Sequence, residues 1–159
     1  MEGPPTNPGK GYSPQESRRI FSEEMAWMGR FVLDWHSNEL KQVPDEKVRR
    51  EMRLYDLRKL VGGPGEGFGQ MQERLNSLTD GILERLRQEF PKFRDIDLLV
   101  YSYYAAGFPN RLTQFLSGYK RENDVMVIRN RMRNHIIYSK SPNKEEYLEF
   151  LPQKGCRFD

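Results

Sequence analysis

Asn123, Asn130, Arg131 and Asn134 fall within one short stretch of the C-terminal third of the chain. A carboxamide can pair bidentately with adenine and a guanidinium with guanine, so this set has the chemistry to read base edges. Around it lie six cations, Arg111, Lys120, Arg121, Arg129, Arg133 and Lys140. Such side chains hold phosphates and set register without reading sequence. From residue 107 to 140, seven Lys/Arg face only Glu122 and Asp124, so the segment is +5 in a chain of net charge +3. A basic surplus gathered in one place suits a polyanion. A merely solvated basic face would have the same composition.

The elements that would position these residues can be read from periodicity. Ile96, Leu98, Leu99, Val100, Tyr103 and Tyr104 predict a largely buried helix that stops at Ala106-Gly107, where Gly allows the positive φ of a C-cap. Tyr101, Tyr103 and Tyr104 read as core rather than as a base-stacking set. A brief helix follows Pro109, which suits a first turn, and carries Leu112, Phe115 and Leu116 on one face. Ser117-Gly118 breaks the chain. A third helix starts near Asn123-Asp124, either of which can cap it. Val125, Ile128, Met132 and Ile136 sit at offsets 0, 3, 7 and 11, one stripe at the helical period. The Asn/Arg set lies opposite. Buried helix, short helix, turn and basic-polar helix are the parts of a helix-turn-helix.

Other chemistry is missing from the sequence. The two histidines, His36 and His135, are far apart, and the single cysteine, Cys156, gives no metal-ligand spacing. There is no nucleophile elbow and no phosphate-binding loop of the Gly-Lys-Ser/Thr type. The Gly-rich run at 62–69 reads as a mobile connector. Glu23-Glu24 and Glu145-Glu146 are adjacent pairs that point to different faces of their helices. These features predict a non-enzymatic protein with no metal, no cofactor and no small-molecule substrate. One cysteine excludes an internal disulfide framework and fits a reducing, cytoplasmic setting. No apolar run approaches the roughly 20 residues of a membrane helix.

Ahead of this region, residues 1–12 read as a flexible leader. Ser13-Pro14-Gln15-Glu16 has the form of a capping box opening a helix that ends before Pro44. Phe21, Met25, Met28, Val32 and Trp35 repeat at spacings 4, 3, 4, 3, a seam two heptads long. A second helix is expected from Pro44 to about Val61, and a third, unbroken, from Gln70 to Phe90. The seam packs either within one chain or as a homodimer interface; packing within the chain is preferred for most of it. A last short helix covers 143–151, and 152–159 reads as a tail. The predicted class is all-α: a helical hairpin or bundle over 13–91, which could also serve dimerisation, then a tetrahelical helix-turn-helix domain over 92–151.

Several of these residues carry a likeness. Phe90-Pro91-Lys92-Phe93, Ala106-Gly107-Phe108, Arg131-Met132-Arg133 with Ile136, and the closing helix from Asn143 to Leu151 resemble the C-terminal domain of LuxR-type regulators. The likeness is nearer to the divergent form that ends Bacteroides-type tetratricopeptide regulators, where a helix similar to Leu75–Phe90 precedes the domain. Thr113 stands where that pattern has a small Ala, and the turn from Ser117 to Asp124 is longer. The resemblance implies a transcriptional regulator whose third helix enters the major groove of double-stranded DNA. The alternative is a degenerate helix-turn-helix that serves protein–protein interaction or dimerisation in signalling.

Overall fold

In the computed structural model of the protein, the backbone is described for residues 11–39 and 57–151, and side chains for 11–30 and 57–151. The expected helix from Pro44 falls largely on 40–56, and the leader and tail on 1–10 and 152–159, all outside the described residues. The fold is all-α. We label its helices α1 (Pro14–Glu39), α2 (Gln70–Thr79), α3 (Ile82–Glu89), α4 (Asp95–Ala105), α5 (Asn110–Ser117), α6 (Glu122–Ile137) and α7 (Lys144–Glu149). Residues 57–61 form a further helical turn, and the only β feature among the described residues is an isolated bridge between Gly63 and Gly67.

The entry to α1 shows the reciprocal capping expected of Ser13 and Glu16. The Ser13 amide donates to the Glu16 carboxylate at 3.0 Å, and the Glu16 amide donates to Ser13 Oγ at 3.1 Å. Two otherwise orphaned donors are thereby satisfied. The helix then lays Phe21, Met25 and Met28 into the core. It packs on α2 and also touches α4, α5 and α7. The buried apolar side chains form one continuous cluster that runs from Phe21 through Leu75, Leu99 and Met132 to Leu151.

The single helix expected over 70–90 is two helices. Asp80 (φ 57°, ψ 45°) and Gly81 (φ 79°, ψ 41°) are both left-handed. Asp tolerates that region better than most residues, and Gly adopts it without steric cost. The new N-terminus is satisfied locally: Leu83 N–H donates to Asn76 Oδ1 at 2.9 Å and Ile82 N–H to Thr79 Oγ1 at 3.2 Å. The bend lets Ile82, Leu83 and Leu86 all be buried.

The Gly-rich connector is clamped to the core by Gln72, which is wholly buried. Its Oε1 accepts the Gly69 amide at 2.6 Å, and its Nε2 donates to Val61 O at 2.8 Å and Ser102 Oγ at 2.9 Å. Tyr103 Oη donates to Gly62 O at 3.2 Å. A Cβ on Gly69 would lie 2.6 Å from the Gly62 nitrogen, so the backbone approaches too closely for any side chain there. The run expected to be a mobile connector is thus tied down by side chains of α2 and α4.

Polar ties hold α7 in place. Arg85 makes a bidentate pair with Glu146 at 2.7 and 3.0 Å, a geometry that favours guanidinium–carboxylate recognition. The Glu89 carboxylate accepts from Ser141 Oγ, Tyr147 Oη and, at 3.0 Å, Asn143 Nδ2. Tyr101, buried in α4, donates to the Tyr147 carbonyl at 2.7 Å.

Candidate functional site

The three helices α4, α5 and α6 pack on one another, with the α5–α6 contact the most extensive among the described helices. Pro109 precedes α5, and Gly118 ends it at φ 81°, ψ 7°. Asp124 then fixes the start of α6, accepting the Arg121 amide at 3.2 Å and the Arg121 guanidinium at 3.0 Å. Val125, Ile128, Met132 and Ile136 are at most 4% exposed. That burial fixes the rotation of α6 about its axis and therefore which residues face solvent.

Asn123, Asn130, Arg131 and Asn134 are all exposed. Between them lies Val127, 53% exposed, and at the end of the same stripe Tyr138, 84% exposed. Sequence reasoning missed these two, although residues 123, 127, 130, 134 and 138 share the helical period of the buried stripe.

Arg131 is not free. Its Nη2 donates to Asp97 Oδ1 at 2.6 Å, and Asp97 is 1% exposed at its side chain against 41% for Arg131. Asp97 also caps α4, accepting the Arg94 amide at 2.8 Å and the Arg94 guanidinium at 3.0 Å. That hydrogen bond from Arg94 is the main reason its guanidinium is held more firmly protonated than usual.

The phosphate set divides. Lys120, Arg121 and Lys140 are exposed around α6, Arg121 with the Asp124 tie just described. Arg129 is a correction: it is 3% exposed and cannot reach a phosphate in this conformation. It follows Val125 by one turn and lies on the inner flank, its Cζ 5.3 Å from the centre of the Tyr104 ring. Its Nε and Nη1 are buried without a hydrogen-bond partner. Arg133 turns to the segment just after α7, donating to the Leu151 carbonyl at 2.5 Å. Burial, and then the nearby Arg129 charge, push its pKa down. Arg111 is exposed on the first turn of α5 and lines a cleft that faces α1.

Of the seam assigned to a dimer interface, Phe21, Met25 and Met28 are 0, 8 and 4% exposed within the single chain. These three are covered by the chain's own core, the intramolecular packing that the sequence reading preferred. The side chains of Val32 and Trp35 lie outside the described ones, as does that of His36. His135 is exposed, its ring edge-on to Phe93 with centroids 6.0 Å apart. Among the described residues no group of His, Cys, Asp and Glu is placed to hold a metal, and no helix is long and apolar enough to cross a membrane.

No protein-family model matches the chain, and no curated protein or solved structure does either.

Proposed function

We propose that α4–α7 form a helix-turn-helix unit of the LuxR-like kind, that the protein is a non-enzymatic, cytoplasmic transcriptional regulator, and that α6 enters the major groove of DNA. The observation that carries this is the open face of α6. Three asparagines and one arginine project from a helix whose opposite face is locked into the core. Asn123, Asn130 and Asn134 would read bases with Arg131, and Val127 adds an apolar contact suited to a thymine methyl. Lys120, Arg121 and Lys140 would hold phosphates.

With Arg129 buried, Arg133 engaged and Arg111 in the cleft, about three phosphate contacts remain. Log K should fall by about 0.9 per contact against log salt, so binding to random duplex should weaken about 40-fold from roughly 50 to 200 mM salt. Titration of the full chain onto random duplex at both salts tests this. Absence of binding at the lower salt would overturn the reading.

A second reading is favoured by Val127 and Tyr138, since exposed apolar groups on one stripe suit a protein partner. In that case the domain is a helix-turn-helix used for protein interaction or homodimerisation in signalling. Val127→Asp and Tyr138→Ser would then abolish partner binding or self-association, and DNA affinity would be absent at low salt.

A further inference from the structure

A cleft of about 800 Å³ opens between α1 and the α4–α5 junction. Its volume falls in the range of small-ligand sites, roughly 300–1,000 Å³. Ala26 and Gly29 of α1 form one side of its apolar lining, and Ala106, Phe108 and Leu112 the other. The walls meet at Gly29. A Cβ there would lie 3.1 Å from Phe108 Cε1 and 3.5 Å from Leu112 Cδ2, so a side chain at 29 would press on the Phe108 ring, which would have to shift by a few tenths of an ångström.

The charged rim is unbalanced at that crossing. Arg18 is paired with Glu149 at 3.4 Å, and Arg19 with Glu23 at 3.3 Å. Arg30 and Arg111 also line the cleft, and neither has an ion pair or hydrogen bond among the described residues. Each is the chain neighbour of a residue at the crossing, Arg30 of Gly29 and Arg111 of Leu112. Glu122 is the one lining acid without a partner among the described residues. The first turn of α5 opens on the same cleft at Pro109 and Arg111, and its N-cap, Pro109, supplies no side-chain acceptor for the turn's amides.

From these features we infer that the cleft binds a small amphiphilic anion. Its carboxylate or phosphate head would sit between Arg30 and Arg111, and its apolar body would lie along Ala26, Phe108 and Leu112. Two guanidiniums converging on one head group give charge-assisted hydrogen bonds, which are stronger than neutral ones. The apolar lining distinguishes such a ligand from inorganic phosphate. The ligand is bound and not transformed, and this site goes beyond the DNA-binding reading and does not depend on it.

Calorimetric titration of the full chain with sodium decanoate, decyl phosphate and decanol, all as monomers in solution, tests the proposal. At least one of the two anions should bind saturably, decanol should not, and the preference between the anions identifies the head group. Arg30→Gln and Arg111→Gln should each weaken binding by about tenfold or more. Both are surface changes, so folding is expected to survive and thermal unfolding checks it. Ala26→Phe, which fills the lining, should abolish binding; if it fails to fold, the arginine variants decide. No saturable binding of either anion, equal affinity for decanol, or unchanged affinity in both arginine variants would overturn the inference.

Discussion

Arg131 on α6 donates to Asp97 on α4 at 2.6 Å, joining two residues 34 positions apart in the chain. The same carboxylate accepts the Arg94 amide and guanidinium. One buried acid therefore caps α4 and sets the position of α6 against it. Arg131→Ala removes one of these partners and leaves the others. The expected loss is about 1–2 kcal/mol, toward the low end for hydrogen bonds to charged groups because Arg131 is partly exposed. Urea unfolding measures it. A DNA-binding comparison of Arg131→Ala with Lys120→Ala has to be made where both variants are folded. There Arg131→Ala should relax sequence preference and Lys120→Ala should weaken all sequences alike.

Arg129 is buried with two unpartnered nitrogens. A buried ionic group without compensation costs stability, and an apolar residue of similar length is often neutral or better. Arg129→Met should leave stability unchanged or raise it by about 1 kcal/mol or more. Affinity for random duplex should not change. A fall in stability would mean that stacking on Tyr104 outweighs the unpaired nitrogens.

Phe21 is fully buried in the core of one chain. Phe21→Ala should destabilise the protein by about 3–5 kcal/mol, the usual range for emptying such a site. Sedimentation of wild type and variant should give the same mass if the seam packs internally at this position. A drop in mass with little loss of melting temperature would place Phe21 in an interface between copies.

Glu89 ties α3 to the segment 141–147. Burial alone would raise its pKa, but hydrogen bonds from Ser141, Tyr147 and Asn143 outweigh burial and hold it below the ordinary 4.5. The depressed value means that the carboxylate stabilises the fold above the unfolded pKa, and that this contribution is lost as pH falls through the folded value. Glu89→Gln should therefore be less stable than wild type at neutral pH, with the difference shrinking as pH falls below 4.5. Chemical unfolding of both proteins across that range checks the sign. A difference that stays constant with pH would show that the Glu89 charge contributes nothing.

Several elements follow from the sequence alone. α4, α5 and α6 are legible because their apolar residues recur at the helical period and because Gly107, Pro109 and Gly118 mark their ends. The capping box at Ser13 is equally local, since its partners lie three residues apart. The break at Asp80-Gly81 was masked by Leu78, Ile82 and Leu86, whose spacing of four continues across it. A local left-handed pair can turn the chain without disturbing that rhythm.

Other features belong to the tertiary structure. A heptad seam has the same pattern whether its partner is the same chain or another, so only packing shows that Phe21, Met25 and Met28 are covered internally. Seven cations near α6 are equivalent as charges in a sequence. Folding separates them, because each point on a helix faces whatever element has packed beside it: Arg129 meets Tyr104, Arg133 meets the Leu151 carbonyl, and Arg131 meets Asp97. Which cations remain for a polyanion is set by that long-range packing, which no local spacing encodes.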